Sequence, residues 1–179
     1  GLDFHLYGDY GLNVFNSRSL AYLKDKELES ACVSFELRFA QIRDLKKVLR
    51  AEAIVYGRLP LMITENCLVQ NETGCRLDRQ GPCVPEDGPC RGGQPNVLVD
   101  RTGAAFPLLP AYGHRTEIQN SKPLYLADRP EHRRLGLAYA RLRFTTETAE
   151  ECVSVVQNYL DAAPAAGDFT RGLYERGVE

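Results

Sequence analysis

The sequence predicts an α/β fold of four parallel strand-then-helix units, half the size of a (β/α)8 barrel. A small β-rich, cysteine-bearing insertion interrupts the last two strands. Three observations lead there. Short apolar runs recur, all but the third followed by a helical stripe, and such alternation implies a parallel sheet. The last unit is separated from the third by roughly 70 residues rich in turn formers. The chain has 179 residues, whereas a complete eight-unit barrel needs roughly 250, so the units suit a half barrel or an open α/β sheet.

The first unit opens on the short apolar run Leu2 to Leu6 and turns at Tyr7-Gly-Asp-Tyr-Gly11. Ser17 then caps a helix from about Arg18 to Asp25. Ala31-Cys-Val-Ser-Phe-Glu36 repeats the strand, and apolar residues at Leu37, Ala40, Ile42, Leu45, Val48 and Leu49 predict a helix over 37–49. The third strand covers Ala53 to Tyr56, with an extension through Leu61 to Ile63, and runs into a cysteine loop instead of a helix. From Cys75 to Gln94 the composition of Gly, Pro, Asp, Arg and Gln predicts no regular element, which in a compact domain calls for a ligand or a function to order it.

Asn96 to Asp100 and Ala104 to Leu109 predict two strands about a turn at Gly103, and 116–120 and 123–126 add short strands to the insertion. Arg129 to Leu135 predicts a short helix closed by Gly136. Leu137 to Phe144 alternates as a strand should. Beyond it Ala149, Cys152, Val153, Val156, Tyr159 and Leu160 form the apolar face of a last helix. The boundaries that result are 1–63 with 137–163 for the half barrel, 64–136 for the insertion and 164–179 for a C-terminal tail.

Composition narrows the function. A net charge of -2 gives the chain no general attraction to phosphate backbones or anionic membranes. The basic residues Arg129, His132, Arg133, Arg134, Arg141 and Arg143 have no interleaved stacking platform and read as a solvated helix face plus strand-end arginines. No apolar run reaches the roughly 18 to 20 residues of a membrane span. The opening has no charged-then-apolar signal pattern, so a cytoplasmic location is expected. An opening on strand-like sequence, without Met, predicts a piece of a longer protein.

Four of the six cysteines fall in one loop with the spacing Cys67-x7-Cys75-x7-Cys83-x6-Cys90. Clustering favours a metal over a disulfide framework, and this spacing is wider than the paired knuckles of zinc ribbons. Thiolates bind both zinc and iron-sulfur iron strongly, so the expected cofactor is a four-iron, four-sulfur cluster or zinc. Free thiols or one disulfide remain the alternative. Cys32 and Cys152 lie in apolar periodic segments and read as small core residues, and His5, on an apolar strand, as a core histidine.

The strand ends offer a second candidate site, since the C-terminal strand ends of such barrels carry the chemistry. Asp9, Asn13, Asn16, Ser34, Glu36, Tyr56, Arg58, and Arg143 with Glu147 collect there. Asp9, Asn13, Asn16, Glu36, Tyr56 and Arg58 are the catalytic candidates. Glu36 or Asp9 could act as acid or base. For each, a helix cap or a layer-end salt bridge is the competing role. Asp100 and Arg101 precede a turn glycine and read as turn chemistry.

The order of motifs resembles that of a known family. Asp9-x-Gly-Leu-Asn-Val-x-Asn16, Val33-Ser-x-Glu-Leu37, Glu52-x-x-x-Tyr-Gly57, Leu61-Met62, Asn66-Cys67, Asp100-Arg101-x-Gly103, Phe106-Pro107, Glu117-Ile-x-Asn-Ser121 and Phe169-Thr-Arg-Gly172 resemble the C-terminal half of peptidase family U32, the collagenase-like proteases. The resemblance implies the last four strands of a (β/α)8 TIM-like barrel, with the cysteine insertion between the seventh and eighth and the first four units upstream of Gly1. It implies a protease acting on peptide or protein substrates. Some relatives instead hydroxylate RNA bases or quinone precursors and hold an iron-sulfur cluster on four cysteines, so RNA or an aromatic ring is the alternative substrate.

Two positions depart from the family pattern. Tyr56-Gly57 stands where a His-Gly pair is often found, and His114 or a neighbour stands where a Cys commonly precedes the Glu117 motif. The metal ligands expected are therefore four among Cys67, Cys75, Cys83, Cys90 and His114. A contrasting expectation is a non-catalytic module that pairs with itself, because a half barrel exposes two unpaired strand edges.

Overall fold

The computed structural model describes residues 4–73 and 96–176. The chain divides into two compact units. One is Gly1–Gly57 with Leu124–Phe144 and Ala149–Glu179; the other is Arg58–Pro123 with Thr145–Thr148.

The first unit contains a mixed α/β arrangement on a mainly parallel sheet. In chain order its elements are β1 (Leu6–Gly8), a 3-10 turn (Tyr10–Leu12), α1 (Ser17–Asp25), β2 (Leu28–Cys32), α2 (Phe39–Asp44) and β3 (Arg50–Gly57). After the excursion into the second unit come β8 (Leu124–Tyr125), a 3-10 turn (Pro130–Arg134), β9 (Tyr139–Leu142) and α4 (Ala149–Asp161). β1, β2, β3 and β9 are parallel neighbours in that order. Glu52 pairs with both Cys32 and Tyr139, and Tyr56 with both Tyr125 and Leu142. β8 therefore runs antiparallel along the edge of β3 that β2 has left.

The strand-then-helix alternation expected from the sequence is present, but helices are shorter and strands more numerous. α2 stops at Asp44 because Leu45 is extended at φ -62° and ψ 134°. There the Lys47 ammonium reaches back to the carbonyls of Ile42 (2.6 Å), Arg43 (3.2 Å) and Leu45 (3.3 Å), as cations do at helix C-termini. Leu49, read as the end of that helix, is instead a buried residue at the entry to β3. α1 is capped by Asn16, whose Oδ1 accepts from Ser19 N at 2.9 Å, one residue before the expected Ser17. The strand at 123–126, grouped by sequence with the insertion, lies in the first unit's sheet.

β3 is buried along Ala51–Gly57, as expected for a strand covered on both faces. A register shift between Ile54 and Tyr56 places an extra residue opposite β9, a bulge that frees backbone carbonyls from the ladder. Buried tyrosine hydroxyls take them up. Tyr174 donates to Ile54 O at 2.6 Å and Tyr159 to Val55 O. Gly57 ends the strand at φ 122°, where a Cβ would stand 2.0 Å from the Arg143 carbonyl oxygen, so only glycine admits β9 this closely.

The C-terminal segment returns to this core. Arg171 makes a two-point pair with Asp128 (2.6 and 2.8 Å), donates to Tyr125 O at 2.7 Å and lies 4.4 Å above the Phe169 ring. That geometry explains the Phe169-Thr-Arg-Gly172 motif as a clamp on the turn after β8.

The second unit is an antiparallel sheet in the order β4-β7-β6-β5, formed by β4 (Pro60–Thr64), β5 (Asn96–Val99), β6 (Ala105–Ala111) and β7 (Arg115–Gln119), with α3 (Leu68–Thr73) after β4. The expected hairpin at 96–109 is present, and Gly103 turns it at φ 84°. Residues 61–63, read as an extension of the third strand, belong to the separate strand β4.

Candidate functional site

Register places one polar set on one face of the parallel sheet. Cys32, Glu52 and Tyr139 are neighbours across β2, β3 and β9, and Arg141 follows Tyr139 by two residues on the same face. Asp9 follows Tyr7 by two at the end of β1. The Arg141 guanidinium lies across this face. Its Nε donates to Glu52 Oε2 at 3.3 Å, a second nitrogen to Oε1, and a third to Asp9 Oδ1. β1 and β9 are three inter-strand spacings apart, about 14 Å in a flat sheet, and this one side chain helps to bridge them.

Burial grades the network. The Glu52 side chain is 9% exposed, Arg141 27% and Asp9 62%. Burial works against the Arg141 charge, but the hydrogen bond and attraction from Glu52, with Asp9 beside them, outweigh it and hold its pKa above the ordinary value. Cys32 lies beside the network, and burial pushes its thiol up to about 12 against the pull of Arg141. It is therefore a neutral core thiol at pH 7. Asp9 Oδ1 also accepts from Tyr10 N at 2.6 Å. Oδ2 has no hydrogen-bond partner among the described residues and faces solvent.

An aromatic layer adjoins the Asp9 side. The Arg143 guanidinium sits 5.3 Å from the Tyr10 ring centroid and donates to its hydroxyl at 3.3 Å, and the Tyr10 and Phe35 centroids are 5.9 Å apart. Ser34 is buried, and its Oγ accepts from Glu36 N at 3.4 Å.

The other candidates occupy structural positions. Asn13 closes the 3-10 turn in the left-handed region at φ 48°, with its N–H on Tyr10 O. Asn16 caps α1. Tyr56 is buried among Tyr125, Phe144 and Tyr159. Arg58, in the second unit, donates to the carbonyls of Asn120 (3.0 Å) and Ser121 and to Thr146 Oγ1 at 3.4 Å. Glu52 and Arg141 complete the cluster, and the sequence does not single them out as site residues. Each places a charge on the same side of a strand as its neighbours' polar residues, which only the register between strands brings out.

In the second unit Cys67 is a buried free thiol whose sulfur accepts from Gln70 N at 3.3 Å. His114 is buried and stands at φ 56° in the turn before β7. Thr116, two residues after His114, is buried as well. Its Oγ1 accepts from Leu68 N at 3.0 Å, docking the start of α3 on β7. Thiol and imidazole are both donors that zinc and iron accept, but among the described residues no group of three or more His, Cys, Asp or Glu could hold a metal ion. Cys75, Cys83 and Cys90 lie outside the described residues.

The pattern of peptidase family U32 matches residues 2–93, from β1 through the cysteine loop and so over the Asp9 and Glu52 positions. The chain belongs to peptidase family U32. No curated protein and no solved structure matches it. Among the described residues no helix is long and apolar enough to cross a membrane.

Proposed function

We propose that this U32 chain is the C-terminal half of a (β/α)8-type barrel peptidase whose polar face, centred on Asp9, Arg141 and Glu52, is the substrate site. The observation that carries the reading is the network itself. A guanidinium ties a buried carboxylate to an exposed one at the C-terminal end of β1, where such folds collect their chemistry, and leaves one Asp9 oxygen open. Asp9 Oδ2 is the acceptor that could take a proton from an attacking water, with Glu52 and Arg141 as positioning residues. The parallel order of β1, β2, β3 and β9 supports the half barrel.

Cys67, Cys75, Cys83, Cys90 and His114 supply the ligands, four of the five, of a zinc ion or a four-iron, four-sulfur cluster. The group would order the cysteine loop. Thiolate ligation of this kind suits a reducing cytoplasm.

A second reading is cluster-dependent hydroxylation of an RNA base or aromatic ring. Tyr10, Phe35 and Arg143 favour it, since an aromatic pair under a guanidinium is a surface on which a planar ring stacks.

The full-length protein that carries this half barrel should release peptides from gelatin where the isolated half does not, and Asp9→Asn in it should reduce the rate at least about 100-fold, the ordinary contribution of a positioned base. No release above that of Asp9→Asn overturns the peptidase reading. Metal content and the visible spectrum of protein purified without oxygen test the ligand set. A sulfur-to-iron band indicates a cluster and a colourless zinc protein a structural site, while protein free of both metals overturns it.

A further inference from the structure

We infer that Tyr10, Phe35 and Arg143 form a side-chain subsite beside Asp9 that selects peptides with an aromatic residue next to the bond to be cut. The inference rests on the peptidase reading above and names the substrate class of the same site.

Three strand ends bring the planar groups together. Tyr10 follows β1, Phe35 follows β2 and Arg143 follows β9. The Tyr10 and Phe35 centroids are 5.9 Å apart at 55°, and the Arg143 guanidinium lies 5.3 Å over the Tyr10 ring. Aromatic groups attract at centroid separations of about 4.5–7 Å, so a third ring joins the layer at the spacing the first two already keep.

Each group is held before a ligand arrives. Tyr10 N donates to Asp9 Oδ1 at 2.6 Å, and its carbonyl accepts from Asn13 N at 2.9 Å. Phe35 lies in a turn closed by Leu37 N on Ser34 O at 3.2 Å, and Ser34 N is tied to Val14 O at 3.0 Å. Arg143 N donates to Tyr56 O at 2.9 Å, and its carbonyl abuts Gly57. A surface fixed in this way loses little freedom on binding. Phe35 also leaves an inner strand, since β2 pairs with β1 on one side and β3 on the other. Further barrel strands would join at β1 and β9 and leave the C-terminal mouth open.

The layer adjoins the proposed acceptor. Arg141 donates to Asp9 and Arg143 to Tyr10, so side chains two apart along β9 meet successive residues after β1. Two strand residues span about 7 Å, within reach of a large side chain whose backbone lies at Asp9. Charge favours a peptide over a nucleic acid here. Asp9 precedes Tyr10 and Glu36 follows Phe35, and carboxylates beside both rings repel phosphate while accepting a neutral backbone with an uncharged ring.

The test is calorimetric titration of the full-length Asp9→Asn protein, in which peptides stay uncut and Asn keeps the acceptor for Tyr10 N. The probes are two blocked Gly/Ser/Ala hexapeptides that differ by Phe or Ala at one central position. The Phe peptide should bind at least about 10-fold more tightly, since a single methylene in an apolar pocket discriminates by that much. Phe35→Leu, which keeps apolar volume, should lower this ratio about 2- to 10-fold, the share of ring-on-ring contact, and Phe35→Tyr should keep it.

Equal binding of the two peptides overturns the inference, and this comparison needs no variant of the layer. A ratio that Phe35→Leu leaves intact also overturns it, as does oligouridine that binds more tightly than the Phe peptide and is weakened by Phe35→Leu. Gelatin release judges the peptidase reading separately. A Phe preference without cleavage upholds the subsite and removes the base, and cleavage without a Phe preference does the reverse.

Discussion

Inside the first unit, the polar groups that enter the central strand meet partners made by the chain itself. Glu52 has Arg141, the carbonyls of Ile54 and Val55 have Tyr174 and Tyr159, and Asp128 has Arg171. The second unit is built with less. Its described apolar interior is Leu59, Cys67, Leu108 and Ile118, and both edge strands expose theirs, with Leu61, Met62 and Ile63 of β4 and Val97, Leu98 and Val99 of β5 all 44% exposed or more. On its described residues alone, a sheet with that little burial would be marginal in water. The comparison teaches that the first unit finds its order in its own pairs, while the described residues of the second bury few apolar groups.

Removing the ligand set should separate the two units most strongly. In the proposed metal site Cys67→Ser, or a chelator, takes away binding free energy that is folding free energy, about 10 kcal/mol or more for structural zinc. Amide exchange in β6 and β7 should then rise toward the unprotected rate while β3 keeps its protection. Equal protection before and after would show that the second unit holds itself, and the contrast would be gone.

Next in size is the loss of Arg141. Arg141→Ala leaves Glu52 nearly enclosed without its cation, and breaking a buried pair in this way costs about 3–5 kcal/mol. Urea unfolding followed by circular dichroism measures it. The double variant Arg141→Ala/Glu52→Gln should recover part of the loss, because no charge is then stranded. If Arg141→Ala alone costs under about 1 kcal/mol, the network is a surface pair and the first unit does not depend on it.

A smaller effect is expected at the bulge. Tyr174→Phe leaves the Ile54 carbonyl, buried beneath a side chain only 1% exposed, without its hydroxyl donor, a cost of about 1–3 kcal/mol. The same measurement on Tyr159→Phe should give at least as large a loss, because that hydroxyl also accepts from Leu126 N at 2.8 Å.

Much of this was legible in the residues. The four parallel strands and the hairpin at Gly103 follow from apolar runs and turn formers, because period and punctuation are local signals. The length of α2 was not, since Leu45, Val48 and Leu49 continue a helical spacing while the Lys47 cap and the entry to β3 end the helix first. β8 was misgrouped because a two-residue strand has no periodicity, and its partner, Tyr56-Gly57, is distant in sequence. In the polar network, the position of Asp9 at a strand end was legible. Glu52 and Arg141 needed register, which one strand's sequence does not contain. Asn16 and Tyr56 show the converse, since polar residues at strand and helix ends look alike whether they cap, pack or react.

The mildest test uses pH and bears on the first unit alone. His132 is buried, its Nδ1 against the Arg129 carbonyl and its ring 6.3 Å from that of Tyr159. Burial, the largest cause, holds its pKa below the ordinary value, and Arg133 adds to this. An unfolded chain takes up the proton near pH 6.5, while the folded one does not until lower pH. The unfolded state thus binds more protons just below pH 6.5, and stability must fall as the pH drops through that window, by at most about 1.4 kcal/mol per pH unit. Above it the group is neutral in both states and contributes no slope. The Asp128 carboxyl, held below its usual range by the Arg171 hydrogen bond, acts only near pH 4 and lower, outside the interval from pH 7.5 to 5.5. Melting of β3, followed by amide exchange between pH 7.5 and 5.5, should shift downward with acid, and His132→Gln should remove most of that slope while leaving exchange in β6 and β7 unchanged. A slope that survives His132→Gln would mean that the first unit's order also depends on another group titrating near neutrality, and its pairs would not be the closed set described here.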